Sequence, residues 1–236
     1  MHRHITEFTI PARPAPIAID PTRCAVIVVD MQNDFGSEGG MFHRAGIDIA
    51  PITAAVAPTA KVLDAARTAG IPVIYLQMQH RPDLADMGQI DSPHRQRHAR
   101  LSVGETAQAP DGTPYRILIA GEWGTQIVAA LAPQPGDMLV PKHRFSGFFE
   151  TGLNSILQGL NAKFLICTGC TTSICVESTI RDAMFRDYHC VLLQDCTGEP
   201  IGHNNSRSNH DASILTIETL LGWVSDSNGF ITPLAK

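Results

Sequence analysis

Three reactive side chains stand just past short apolar runs. Asp30 follows Ala25-Val26-Ile27-Val28-Val29, Lys142 follows the short run ending at Val140, and Cys175 lies a turn beyond Lys163-Phe164-Leu165-Ile166-Cys167. An acid, an amine and a thiol can together run nucleophilic chemistry at a carbonyl. The thiolate attacks, Asp30 accepts the thiol proton and passes it to a leaving nitrogen, and the Lys142 charge holds both anions and lowers their proton affinities. Backbone amides of Thr171 and Cys175 are the candidate donors to the developing oxyanion. Each residue also has a plainer reading: an Asp that caps a turn, a solvated surface lysine, a cysteine packed as a small apolar group. No histidine stands at a comparable strand end, which disfavours a Cys-His pair. No glycine-rich phosphate loop follows the first strand, so no nucleotide or other cofactor is expected.

The elements that must position these residues follow from periodicity. Strands are expected at 23–30, 72–77, 137–140, 163–167, 189–194 and 223–225, because continuous β-branched and apolar runs suit parallel strands buried on both faces. Helices are expected at 49–69, 123–131, 151–160, 175–188 and 206–221, from apolar spacings of three and four. Strand and helix alternate, which predicts an α/β fold: a three-layer α/β/α sandwich around a central, mostly parallel six-stranded sheet. In such sheets ligands bind beyond the carboxyl ends of the strands, where Asp30, Lys142 and Cys175 sit. Cys175 also falls near a helix start, where free amides and the dipole favour a thiolate.

Three segments complete the organisation. Residues 1–21, with four prolines, read as an extended arm; 22–236 read as one domain. Within it, 79–121 is polar and weakly periodic and reads as a substrate lid. His94 and His98, four apart in that lid, could share a metal on a helix, but without an acidic ligand between them they read as solvated groups, and no metal is expected. From the Lys142 loop, Arg144 is a candidate for a substrate carboxylate; Phe35 and Gln77 are candidate pocket walls.

The 236 residues are 44% hydrophobic and 17% charged, with a net charge of −5. This describes a globular chain and argues against nucleic acid or an anionic membrane as partner. No run approaches a membrane span and no signal peptide opens the chain, so a cytoplasmic protein is expected. The six cysteines read as reduced thiols, since three fall in or beside buried strands.

Val28-Val29-Asp30-Met31-Gln32-Asn33-Asp34-Phe35, Pro141-Lys142 and Gly169-x-x-Thr172-x-x-Cys175-Val176 resemble the isochorismatase-like cysteine hydrolases over about residues 20–228. The resemblance implies a catalytic triad of Asp30, Lys142 and Cys175 and a cis peptide between Cys170 and Thr171. Within the family, Pro133 to Asp137, Phe145 to Phe149, Cys175 to Asp182 and Gly222 to Asp226 are most similar to ureidoacrylate amidohydrolases, whereas His80-Arg81-Pro82-Asp83-Leu84-Ala85-Asp86 looks like biuret hydrolases. Nicotinamidases of the family carry an Asp-x-His metal site after the second strand, which Gln77-Met78-Gln79-His80 does not reproduce. The implied activity is metal-independent hydrolysis of a linear C–N bond in a small ureide or amide, with biuret or triuret as alternative substrates and a non-catalytic binding protein as the alternative class. A homo-oligomer, dimer or tetramer, is expected.

Overall fold

The computed structural model describes residues 7–202 and 205–235. Its core is a six-stranded sheet of β3 (Cys24–Val29), β4 (Val73–Met78), β7 (Met138–Lys142), β8 (Phe164–Cys170), β9 (His189–Gly198) and β10 (Trp223–Ser225). The strands lie in the order β10-β9-β8-β3-β4-β7 and every neighbouring pair is parallel. From β3 the chain first builds outward through β4 and β7. It then crosses back to the other side of β3 for β8. That reversal opens a crevice at the strands' carboxyl ends, the usual place for a ligand in an open α/β sheet.

β3 shows why the sheet needs two covering layers. Cys24, Val26 and Val28 pack on one face, among Ile52 and Leu63 of helix α1 (Ala50–Thr68) and Phe230 of the C-terminal helix Ser227–Leu234. Ala25, Ile27 and Val29 pack on the other, among Leu153 of Leu153–Gly159 and Ile180 of Glu177–Met184. The strand's period of two sends alternate side chains to opposite faces, so an unbroken apolar run is the signature of a strand buried twice.

The N-terminal segment differs from the expected arm. Phe8–Ile10 (β1) and Ile17–Ile19 (β2) form an antiparallel hairpin, whose Phe8, Ile10, Ile17 and Ile19 join the core and whose Phe8 meets Phe230 edge-on. Arg13 pairs through its backbone with Val224 of β10, and its side chain with Glu218 at 2.8 Å. The hairpin thus covers the sheet's edge strand. Residues 1–6 of the expected arm lie outside the described residues.

The 123–131 stretch is not a helix. It forms two single 3-10 turns, Trp123–Thr125 and Ala129–Leu131, because its backbone bonds to the loop after β3: Asn33 N donates to Gln126 O at 2.9 Å and Val128 N to Met31 O at 3.0 Å. The 79–121 segment, expected as a lid, likewise has structure of its own, with helix α2 (Pro93–Arg100), capped by Ser92, and a hairpin of β5 (Thr106–Gln108) and β6 (Pro114–Arg116). The expected 206–221 helix starts at Asn209, behind the capping Ser208, and ends in a π-helical turn, Ile217–Leu221. No helix among the described residues is long and apolar enough to cross a membrane.

Candidate active site

Asp30, directly after β3, takes a left-handed backbone conformation (φ 51°), which aspartate tolerates better than most residues. Its amide donates to Leu76 O at 3.0 Å, and its carboxylate accepts from Met78 N at 3.0 Å. The other oxygen accepts from Lys142 Nζ at 2.7 Å. Both side chains are buried, so the pair is shielded from water. Lys142, at the end of β7, also donates to Arg144 O at 3.1 Å.

β8 delivers the third group. Gly169 is required there: a Cβ at its positive φ of 113° would lie 2.0 Å from Val29 O. The strand ends at Cys170, whose thiol donates to Asp30 O at 3.1 Å, and the Cys170–Thr171 bond is cis. The chain then enters a π-helical turn, Thr172–Val176, which carries Cys175. That turn is braced by residues that strand-end chemistry does not point to. Glu199, buried at the end of the β9 segment, accepts from Ser173 N at 2.8 Å; His210 bonds Thr172 Oγ1 at 2.9 Å; Thr179 Oγ1 donates to Cys175 O at 2.7 Å.

Asp30 and Lys142 both act electrostatically on the Cys175 thiol, so three separate strand ends converge on one region. Burial dominates the proton affinities. It pushes the Cys175 thiol and the Asp30 carboxyl up, and Lys142 lowers both without overcoming it. Lys142 itself is raised, because Asp30 and Cys175 outweigh its desolvation. The charge effect of Lys142 therefore has the expected sign but not the expected outcome: the resting site holds a thiol beside an Asp–Lys ion pair.

A narrow pocket opens over the thiol. Cys175 and Thr171 lie in its wall with Phe35 and Phe145, and Arg97 and His98 enter from α2. Phe35 is placed as expected. Gln77 is not: its side chain donates to Thr125 O at 2.7 Å, and the next residue, Met78, lines the pocket instead, since neighbouring side chains on a strand point to opposite faces. Nor does Arg144 line it. Arg144 Nη1 donates to Asp86 O at 2.6 Å and to His143 O, with the guanidinium over the Phe149 ring, so it secures the base of the lid.

His94 and His98 are not solvated groups. Their rings pack against each other, tilted by 36° with centroids 4.0 Å apart, with His80 edge-on to His98 at 5.3 Å and Phe145 beside His94 at 5.4 Å. His80 Nδ1 donates to Asp86 at 3.1 Å and His98 Nδ1 to His94 O at 2.8 Å. Burial, aided by the neighbouring positive groups, pulls His80 down to about 4 and His94 to about 3, so the stack is neutral near pH 7. These three are the residues that could hold a metal, their ligand atoms lying within 4.8 Å of one another. Asp34 ties this lid to the site: its buried carboxylate accepts from Met41 N at 3.0 Å, Tyr115 OH at 3.0 Å and Leu118 N at 2.7 Å.

Known proteins carry the same framework. Residues 24–229 match the isochorismatase domain. The chain belongs to the isochorismatase family. It is 40% identical over 228 residues to the ureidoacrylate amidohydrolase RutB of Rhizobium rhizogenes strain K84, covering 97% of this chain and 90% of that one. RutB of Agrobacterium fabrum strain C58 is also 40% identical, over 94% of this chain and 95% of the relative. Among solved structures, a cysteine hydrolase from Pseudomonas syringae pv. phaseolicola 1448A superposes with a TM-score of 0.77 at 30% identity, over 92% of this chain and 94% of that one. N-carbamoylsarcosine amidase from Thermoplasma acidophilum gives 0.65 at 25% identity, over 87% and 97%. The isochorismatase-family chain is thus a hydrolase with a pocket built at the carboxyl ends of its sheet.

Proposed function

We propose that the enzyme is a cysteine amidohydrolase that cleaves a linear C–N bond in a small ureide such as ureidoacrylate. The observation that carries this is the buried Asp30–Lys142 ion pair acting on the Cys175 thiol, which lines an apolar pocket. As Sγ forms its bond to the substrate carbonyl carbon, the thiol proton passes to Asp30. The C=O pair moves onto oxygen, where amides of Thr171 and Cys175 receive it. Collapse of the tetrahedral adduct breaks the C–N bond, and Asp30 returns its proton to the departing nitrogen. Water, deprotonated by Asp30, then hydrolyses the acyl or carbamoyl thioester and restores the thiol. Lys142 keeps Asp30 anionic in a site where burial favours the neutral acid, so the base is ready without a metal. The identity to two ureidoacrylate amidohydrolases supports this substrate class over biuret.

The test is ammonia release from ureidoacrylate, biuret, triuret and nicotinamide by wild type and by Cys175→Ser. Turnover of a ureide should fall by at least about 10³-fold in the variant, with a thioester adduct trapped on wild type and visible by mass spectrometry. Turnover that survives the substitution rules the cysteine mechanism out.

A further inference from the structure

The pocket over Cys175 is lined by apolar side chains with one exception in formal charge: Arg97, one turn from the end of α2. Most arginines around this site are occupied. Arg95 donates to the carbonyls of Leu84 and Gly88, Arg116 to those of Gly104 and Pro82, and Arg144 to those of Asp86 and His143. Arg97 has no hydrogen bond or ion pair among the described residues. Its recorded electrostatic neighbour is His98, whose proton affinity it helps to lower, after burial. A second recess adjoins the pocket and shares Met41 and Leu101 with it; Arg44 and Arg100 line it with a single acid, Glu105. The two adjoining recesses together carry three arginines against one acid in a protein whose net charge is −5.

We propose that Arg97 binds a carboxylate carried by the substrate at the end remote from the scissile bond, and so selects anionic ureides over neutral ones. A guanidinium offers a fork of donors that pairs bidentately with a planar carboxylate, and a charge-assisted contact of this kind is stronger beside apolar walls than in open water. The neutral stack of His80, His94 and His98 seats α2 against Phe145, so the guanidinium is carried by a packed element and not by a free loop. A positive mouth also draws anions toward the site and loses that advantage as salt rises. This assignment rests on the pocket being where C–N cleavage occurs, and it moves the carboxylate contact from Arg144 to Arg97.

The experiment compares ureidoacrylate with its neutral primary amide in wild type, Arg97→Gln, Arg97→Lys and Arg144→Gln. The acid-to-amide ratio of kcat/KM should fall on the order of 30-fold in Arg97→Gln, mostly through KM for the acid, and be partly retained in Arg97→Lys. Arg144→Gln should move both substrates alike, and the wild-type KM for the acid should rise with salt. In parallel, calorimetry follows ureidoacrylate binding to Cys175→Ala with and without Arg97→Gln, independently of turnover. An unchanged acid-to-amide ratio in Arg97→Gln, or equal acid binding with and without Arg97, overturns the proposal. Arg97-dependent binding without any wild-type turnover would uphold Arg97 as the anion site and reject the hydrolytic function alone.

Discussion

The strand ends and the lid solve the same problem, placing a side chain over one point, by different means. Asp30, Lys142 and Cys175 hang from β3, β7 and the turn beyond β8, parallel strands of one sheet, and their positions follow from the sheet's register. Arg97 and His98 hang from α2, whose place depends on side-chain contacts far apart in the chain: the imidazole stack, the Arg144 bonds at the lid's base and the Asp34 carboxylate. Backbone ladders fix the chemistry, and polar side chains fix access to it. Substitutions at the strand ends should therefore abolish turnover, whereas those in the lid should alter affinity, selectivity and pH response.

The sharpest way to break this contrast is Lys142→Met. It leaves the Asp30 carboxylate buried without its cation, so unfolding free energy at about pH 8 should drop by about 3–5 kcal/mol, and kcat/KM on the order of 10³-fold. Burial already raises the Asp30 pKa and Lys142 opposes that rise. In the variant the raised pKa climbs further, and the folded state binds a proton more tightly than the unfolded chain. The stability deficit should therefore shrink as pH falls toward about 5.5, measured by urea unfolding at both pH values. A deficit that does not change with pH would show that Asp30 is not the group left uncompensated.

Asp34→Ala probes the tie between the two regions. It strands the amides of Met41 and Leu118, so a loss of about 3 kcal/mol is expected. The KM for the preferred ureide should rise more than kcat falls, because the lid loses its anchor while the triad does not. An equal loss in kcat would place Asp34 within the catalytic geometry.

The smallest effect concerns pH. His94, held neutral when folded with its pKa pulled down to about 3, ionises in the unfolded chain near its ordinary 6.5. Its contribution to stability is whole above about pH 6.5 and is lost as pH falls from there toward about 3, because the unfolded state binds the extra proton. His80, pulled down to about 4 beside Asp86, acts in the same direction. His94→Phe keeps a ring in the stack and removes the proton site, so at about pH 5 the variant should recover on the order of 1 kcal/mol relative to wild type, after correction for their difference at about pH 8. Chemical unfolding across this range checks it; parallel pH curves would exclude His94 as the titrating group.

Much of the fold is legible in the chain because its signals are local. The six strands each carry a continuous apolar run, and β3 in particular allows no other placement, since every one of its residues is buried. The hairpin at the N-terminus was legible too, in the alternation Phe8-Thr9-Ile10 and Ile17-Ala18-Ile19, but the prolines between them point to an extended arm. The 123–131 segment fails as a helix for a reason outside itself: its backbone partners lie at 31–33.

The sequence by itself determined which reactive groups stand at the strand ends, because those groups follow buried strands whose apolar runs are readable residue by residue. Only the tertiary structure decided what surrounds them. It turned Gln77 away and brought Met78 in, engaged Arg144 with the 79–121 segment, packed His94 and His98 as neutral rings, and left Arg97 in the pocket wall without a partner among the described residues. The physical reason is range. A strand's facing is set every two residues by its own backbone, whereas the burial and pairing of a lid side chain depend on groups tens of residues away, which no local pattern encodes.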